Sequence, residues 1–279
     1  MVEQLLKGKI AIVTGAGSPI GMGRAMTLAL VRAGARVAML DIDHEALERS
    51  AAVMRESGGS DCVLAIAADV TSPTDTAAAV QRTIDGLGGL YIVVNNAGTN
   101  PRNVGLGTGR EGNFWEIQPE AWNRVFAVNA AGPFLLARAA AGHLLAQRWG
   151  RIIGVTTSLG TMYRKGGGPY GPSKAAHEAF MATISQELEG TGVTVNVLVP
   201  GGPVDTNLLG PEADRSALIK PQVMEAPVVW LASEASSGVH GRRFIAYHWD
   251  EGLPVEQRLK KAGAPLAWQQ LGTQVIYLR

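Results

Sequence analysis

Short apolar runs rich in valine and isoleucine recur along the chain, and segments of helix length separate them. Each run is apolar at successive positions, which is typical of strands buried on both faces of a parallel sheet. The predicted strands are Ile10–Val13, Val37–Leu40, Val63–Ile66, Tyr91–Val94, Ile152–Val155, Thr194–Val199 and Phe244–Ala246. The predicted helices are Gly23–Ala33, Asp43–Glu56, Pro73–Asp85, Pro119–Trp149, Tyr170–Glu189 and Pro221–Ser233.

The alternation of strand and helix with short connections predicts right-handed βαβ units. We therefore expect an α/β fold, a doubly wound Rossmann-type parallel sheet of seven strands with helices on both faces. Such a sheet binds ligands in a crevice at the carboxyl ends of its strands. Residues 1–251 are predicted to form one domain. The span Gly252–Arg279 is predicted to be a C-terminal extension that packs on the active site or on a subunit interface.

Composition excludes several kinds of partner. The 25 basic and 24 acidic side chains give a net charge of +1, so no overall field attracts nucleic acid or an anionic membrane. Cys62 is the sole cysteine, which excludes an internal disulfide and a multi-cysteine metal site, and no metal site is predicted. No run approaches the ~20 apolar residues that a membrane span requires. We expect a soluble cytoplasmic protein.

A glycine-rich turn joins the first predicted strand to the first predicted helix. Gly15, Gly17, Gly21 and Gly23 lie where a backbone can approach a pyrophosphate and where the amino end of a helix offers free N–H groups. Asp41 ends the second strand about 20 residues after Gly21, where a carboxylate accepts hydrogen bonds from a ribose and repels a 2′-phosphate. This pattern favours NAD over NADP. The alternative is a tight turn and a solvated carboxylate.

Tyr170 and Lys174 are four residues apart in a predicted helix, so their side chains share one face. A free tyrosine titrates near pH 10, and loss of its proton at neutral pH costs roughly 4 kcal/mol. A neighbouring ammonium and an oxidised nicotinamide would both lower that cost. The phenol could then accept a proton from an alcohol as hydride leaves, and return it in the reverse reaction.

Four motifs occur in order: Thr14-Gly15 through Gly21, Asp69-Val70, Asn95-Asn96-Ala97-Gly98, and Tyr170-Gly171-Pro172-Ser173-Lys174. Over about residues 5–250 the chain resembles the short-chain dehydrogenase/reductase family. The resemblance implies that the pyrophosphate is contacted by Gly15, Ser18, Ile20 and Gly21, the adenine by Asp69 and Val70, and the ribose by Asn95, Asn96, Ala97 and Gly98. It implies that Pro200, Gly201 and Thr206 flank the nicotinamide, that Tyr170 and Lys174 are catalytic, and that Asn129 anchors a water linking the lysine to solvent.

The chain departs from the family pattern at several positions. Spacing back from Tyr170 places Thr157 where the family has its substrate-orienting serine, and Ser158 is one residue late, so both stay candidates. Pro19 replaces a family glycine and removes one N–H donor from the phosphate turn. We expect the proline to be tolerated there as it is in the first turn of a helix.

These observations predict an oxidoreductase that interconverts a small secondary alcohol and a ketone with NAD(H). A homo-oligomer, tetramer or dimer, is implied by the resemblance alone. The alternative is a catalytically idle NAD-binding sensor or scaffold. A serine hydrolase is disfavoured because no Gly-x-Ser-x-Gly turn surrounds Ser158. Variable segments at residues 99–114, 160–169 and 205–220 are expected around the substrate, with possible anion contacts from Arg102, Arg110, Arg164 and Lys165.

Overall fold

A single sheet of eight strands organises the computed structural model, which describes residues 4–107 and 113–268. The strands are β1 (Ile10–Thr14), β2 (Arg36–Asp41), β3 (Val63–Ala67), β4 (Ile92–Asn95), β5 (Gly150–Val155), β6 (Val193–Val199), β7 (Arg242–Ile245) and β8 (Gly263–Pro265). Their order is β3-β2-β1-β4-β5-β6-β7-β8. All neighbours pair in parallel except β7 and β8, which are antiparallel.

Helices cover both faces of this sheet. They are α1 (Met22–Arg32), α2 (His44–Gly58), α3 (Pro73–Leu87), α4 (Pro119–Phe126), α5 (Gly132–Ala146), α6 (Leu159–Met162), α7 (Tyr170–Glu187), α8 (Glu225–Ala232) and α9 (Val255–Ala262). One apolar layer includes Leu30, Leu47 and Leu231, and the other includes Leu136 and Met181, all fully buried. The predicted doubly wound α/β fold is confirmed.

The predicted strand count is one too low, because β8 has no apolar signature. It consists of Gly263, Ala264 and Pro265, which pair with the edge of β7. The following residue, Leu266, is fully buried and its N–H donates to the Gly241 carbonyl oxygen at 3.1 Å. The described part of the predicted extension therefore completes the sheet edge. Its last eleven residues, 269–279, lie outside the described residues.

The predicted helix Pro119–Trp149 is helical from Pro119 to Ala146, but it contains a π-helical turn at Ala127–Ala131. A π turn widens the helix and recurs at functional sites. By length and composition this stretch is the one described helix that could cross a membrane. It packs against α3 and α7 and holds the fully buried Asn129, as a core helix of the fold does.

Candidate active site

A cavity of about 480 Å³ opens at the carboxyl ends of the central strands. Parallel sheets place their ligand crevice at this edge, where the strand order reverses between β1 and β4. The residues that line the cavity include 156–158 after β5, Tyr170 at the start of α7, and much of the long loop after β6. Arg164 also lines it, and Arg102 lines it while paired with Glu212 at 3.5 Å. Arg110 lies outside the described residues.

The phosphate turn is built so closely that only glycine fits at two of its positions. Gly15 has φ +68°, and a Cβ there would stand 3.0 Å from the Ala97 Cα. A Cβ on Gly23 would overlap the Gly15 carbonyl oxygen. Gly21 precedes α1 as a cap without a side chain, so the first N–H groups of the helix stay open toward the crevice. This cradle of bare backbone fits a pyrophosphate.

Pro19 lies in a turn before the helix, so its expected place in the first helical turn is wrong. The Gly21 N–H donates to the Ser18 carbonyl oxygen at 3.1 Å, which makes Pro19 the second residue of a four-residue turn. The fixed φ of proline suits that position. Ile20 follows with 40% of its surface exposed, and the Ser18 hydroxyl accepts a bond from the Asn207 side chain at 3.3 Å.

Asp41 is held against the phosphate turn. Its Oδ2 accepts from the Gly17 N–H at 2.8 Å, and its Oδ1 accepts from the Asp43 N–H at 3.2 Å. A Cβ on Gly17 would stand 2.9 Å from the Asp41 Cγ, so the glycine permits this approach. The carboxylate is half-buried at the end of β2 and has a fixed orientation toward the crevice.

Asp69 and Val70 follow β3 at the same edge. Burial raises the pKa of Asp69, but hydrogen bonds from Thr71 and the charge of Arg124 outweigh burial and place that pKa below its usual value. Its Oδ1 accepts from the Thr71 N–H at 2.8 Å and from the Thr71 hydroxyl at 2.7 Å. Val70 packs over Gly132, where an added Cβ would stand 3.1 Å from the valine Cγ2. Both residues thus lie just beyond the carboxyl end of β3.

The segment after β4 is tied to β1. The Asn96 amide donates to the Thr14 carbonyl oxygen at 2.8 Å, and the Thr14 hydroxyl accepts from the N–H groups of Asn96 and Ala97 at 3.0 and 2.9 Å. Asn95 is buried and bonds to the Pro133 carbonyl oxygen at 3.4 Å, so its side chain points away from the crevice. Of the two neighbouring asparagines, Asn96 is the one beside the phosphate turn.

Asn129 lies in the π-helical turn and joins two segments. Its amide nitrogen donates to the Thr99 carbonyl oxygen and to the Ser173 hydroxyl, both at 2.9 Å, and its Oδ1 accepts from the Thr99 N–H at 2.8 Å. Gly98 separates this amide from Lys174, since a Cβ there would stand 3.4 Å from the Asn129 Oδ1 and 3.1 Å from the Lys174 Nζ. The structure thus brings Gly98, Asn129 and Lys174 together.

Tyr170 is the first residue of α7, and Lys174 follows one turn later. The Lys174 ammonium donates to the Val155 carbonyl oxygen at 2.9 Å and is 3% exposed. Burial lowers the pKa of Lys174 to about 8 and raises the pKa of Tyr170 to about 12. The Tyr170 pKa therefore lies above its ordinary value and not below it as expected, because burial disfavours the phenolate.

The two candidate hydroxyl residues differ in their bonding. Ser158 caps α6, and its Oγ lies 2.8 Å from the Thr161 Oγ1. The Thr157 hydroxyl makes no hydrogen bond to any residue that the structure describes, although Thr157 and Tyr170 line the same cavity. Thr156, just before it, points to the other side and donates to Glu178.

Three residues after β6 complete the crevice. Gly201 has φ +109°, and a Cβ there would stand 2.7 Å from the Tyr247 Cβ. The Pro200 carbonyl oxygen accepts from the Tyr247 N–H at 3.1 Å. Thr206 is nearly buried, and its hydroxyl accepts from the Leu208 N–H at 3.3 Å. Pro200 and Thr206 line the cavity together with Tyr170.

Comparison with known proteins decides the family. The sequence model of the family described as short chain dehydrogenase matches residues 9–216. The chain belongs to this family. It is therefore an oxidoreductase with a nucleotide-binding fold of the Rossmann type.

Individual relatives span nearly the whole chain. A protein of Xanthobacter autotrophicus named 2-(S)-hydroxypropyl-CoM dehydrogenase 3 is 31% identical over 86% of this chain and 95% of its own length. A short-chain type dehydrogenase/reductase of Mycobacterium marinum superimposes with a TM-score of 0.76, at 30% identity, over 87% of this chain and 94% of that one. A 3-ketoacyl-(acyl-carrier-protein) reductase of Brucella melitensis, solved with NADH, gives 0.73 at 27% identity over 84% and 95%.

This short chain dehydrogenase also uses polar loop residues that the sequence analysis missed. The Asn100 amide donates to the Leu208 carbonyl oxygen at 2.9 Å, and the Asn103 amide donates to that of Asn207 at 3.2 Å. Together with the bond from Asn207 to Ser18, these contacts hold the loop after β6 over the crevice. Asparagines in loops follow no regular spacing, so no sequence pattern singles these residues out.

Proposed function

We propose that the chain interconverts a small secondary alcohol and a ketone with NAD(H), and that Tyr170 is the general acid–base group. The observation that carries the proposal is that Tyr170 and Thr157 line one cavity, while Lys174 and Asn129 are buried. A bound nicotinamide would accept or donate the hydride. Gly15, Ser18, Ile20 and Gly21 would hold its pyrophosphate, and Pro200, Gly201 and Thr206 would flank its ring.

Asp41 supports NAD over NADP. Its two oxygens are oriented by the Gly17 and Asp43 N–H groups, so a ribose would meet a preorganised acceptor. A 2′-phosphate would meet a negative charge instead. Asp69 and Val70 would border the adenine, and Asn96, Ala97 and Gly98 would lie along the ribose beside it. The Brucella neighbour was solved with the same cofactor, NADH.

Tyr170 would exchange the proton of the substrate oxygen. Burial raises the pKa of the phenol to about 12, so at neutral pH it carries the proton that ketone reduction needs. Alcohol oxidation requires the phenolate, which the ammonium of Lys174 and the positive charge of an oxidised nicotinamide would favour. Asn129 would hold a water that connects Lys174 to solvent.

Thr157 is the better candidate for orienting the substrate oxygen. Thr157 and Ser158 both line the cavity, but the Thr157 hydroxyl has no hydrogen-bond partner among the described residues, whereas that of Ser158 is engaged with Thr161. A threonine hydroxyl has the donor and acceptor capacity that this role needs. We therefore assign the role to Thr157 and regard Ser158 as the cap of α6.

A homo-oligomer and a cytoplasmic location stay predictions. The exposed apolar side chains of Trp122, Phe134 and Leu145 on α4 and α5 support association between copies. Light scattering on the purified chain would measure the mass, and a monomer at micromolar concentration would contradict the oligomer.

The test is a screen of secondary alcohols with NAD⁺ and NADP⁺, and of ketones with NADH and NADPH. Tyr170→Phe is expected to lower kcat by about 10²- to 10⁴-fold, the usual contribution of a general acid–base group. Tyr163→Phe is the matched control, since Tyr163 is 79% exposed, and it should retain wild-type turnover. Unchanged turnover in Tyr170→Phe would refute the mechanism. Cofactor binding without turnover of any substrate would favour the sensor instead.

A further inference from the structure

A buried ion pair lies behind the crevice and has no part in the mechanism above. Arg243, on β7, is 6% exposed, and Glu178, on α7, is fully buried. The Arg243 Nε lies 3.0 Å from the Glu178 Oε1. Removing two charges from water costs several kcal/mol per ion, so such pairs add little to stability compared with apolar residues. A contribution to stability is therefore a poor explanation for this pair.

Two further polar atoms of the pair bind two consecutive residues. The Arg243 Nη2 donates to the Thr157 carbonyl oxygen at 3.0 Å. The Glu178 Oε2 accepts from the Thr156 hydroxyl at 2.9 Å. The pair thus holds the segment Thr156–Thr157 through its backbone on one side and through a side chain on the other.

The pair also links this segment to the acid–base group. Glu178 follows Lys174 by one helical turn, so α7 carries Tyr170, Lys174 and Glu178 on one rigid element. Arg243 lies on β7, which is separated from β5 by β6, and its side chain reaches across to the end of β5. The guanidinium therefore connects β7, α7 and the segment that follows β5.

We infer that Arg243 and Glu178 are positioning residues, which fix the Thr156–Thr157 segment and thereby place the Thr157 hydroxyl opposite Tyr170. The inference rests on the proposed function. A side chain follows its backbone, and an anchored carbonyl fixes the peptide that carries Thr157. Since an error of about 1 Å in the placement of a reacting group can cost 10²-fold in rate, the pair acts on kcat without touching substrate.

The test compares Arg243→Met with Arg151→Met. Arg151 is a matched control: it is 1% exposed, lies near the amino end of β5, and donates to the Ser233 carbonyl oxygen. Both variants should lower Tm. Arg243→Met alone should lower kcat by about 10- to 100-fold, with KM nearly unchanged. Equal kcat losses in the two variants, or wild-type kcat in Arg243→Met, would overturn the inference.

Two further variants separate positioning from damage to the fold. Arg243→Lys keeps the charge but cannot contact Glu178 and the Thr157 carbonyl through two separate nitrogens, so kcat should stay reduced in a folded protein. In a Thr157→Val background, Arg243→Lys should cause no further loss, because its effect passes through that hydroxyl. Additive losses in the double variant would refute the route through Thr157.

The proposed function and the inference can fail separately. A wild-type chain without turnover refutes the function. Hydrogen exchange in peptides spanning residues 155–162 then tests positioning without a substrate. Exchange there should rise in Arg243→Lys and stay at the wild-type level in Arg151→Met. Equal protection in Arg243→Lys and the wild type would overturn the inference in that case.

Discussion

The Lys174 ammonium lies in a site that is nearly closed to water. Methionine has a similar volume but no charge, so Lys174→Met removes the buried charge and leaves the space filled. The wild-type group is 3% exposed and retains one described hydrogen bond, to the Val155 carbonyl oxygen. In Lys174→Met we expect a loss of turnover together with a change in stability that depends on pH.

The magnitude follows from the pKa of Lys174, which burial lowers from 10.5 to about 8. Below pH 8 the lysine is charged in both the folded and the unfolded chain, and the penalty for burying the charge is complete. Between pH 8 and 10.5 the unfolded chain binds a proton that the folded chain has lost, so the penalty disappears as the pH rises. At about 1.36 kcal/mol per unit, the whole penalty is roughly 3 kcal/mol.

Urea unfolding of both proteins at pH 7, 8, 9 and 10 measures this penalty. The free energy of unfolding of Lys174→Met minus that of the wild type should fall by about 2 kcal/mol between pH 8 and 10. The lost hydrogen bond to Val155 shifts the whole curve without changing this slope. The exposed Lys260 provides the control, Lys260→Met, since its ammonium keeps its water on folding. A difference that is flat with pH for Lys174→Met would refute the reasoning.

Three other changes test other parts of the structure. Burial, and then the charge of the nearby Lys174 ammonium, hold the pKa of His177 well below 6.5, so the unfolded chain alone binds a proton there. The free energy of unfolding of the wild type should therefore fall as the pH drops below 6.5, by up to about 1.36 kcal/mol per pH unit. Urea unfolding of His177→Leu should not show this slope. The same slope in His177→Leu would contradict the prediction. Gly23→Ala should lower Tm, and should lower NADH affinity in a fluorescence titration, because its methyl group would overlap the Gly15 carbonyl oxygen. The control Gly142→Ala, in open space, should stabilise the protein by about 1 kcal/mol. Wild-type NADH binding in Gly23→Ala would contradict a role of this turn in binding the pyrophosphate. Asp41→Asn should reduce the ratio of kcat/KM for NADH to that for NADPH, and an unchanged ratio would remove the basis for predicting NAD.

Most of the strands that the sequence predicted contain a run of buried apolar residues. Val193–Val199 is buried at every position, and such a short run buried on both faces is typical of a central parallel strand. The strand Gly263–Pro265 was missed because its pairing depends on the neighbouring edge of β7 and not on its own side chains. The π-helical turn at Asn129 was missed for a related reason, since a single extra residue within a helix leaves the apolar period almost unchanged.

The candidate site was predictable where a motif has fixed spacing along the chain. Tyr170 and Lys174 share one helix, so their proximity follows from the helical repeat. Arg243 and Glu178 come from distant parts of the sequence, and their pairing appears only once β6 and β7 are in register. The raised pKa of Tyr170 could not be predicted from the sequence either, because the burial of this side chain depends on how the loops around the crevice pack.

The short antiparallel strand β8 determines what the edge of the sheet offers to other chains. Without it, β7 would present a row of unpaired backbone groups, the usual template for edge-to-edge aggregation. The strand covers Arg242, Arg243 and Phe244, and then ends on Pro265, which has no N–H to donate to a further strand. At this edge of the described sheet the row of β7 is therefore replaced by three residues, a shorter template for another strand.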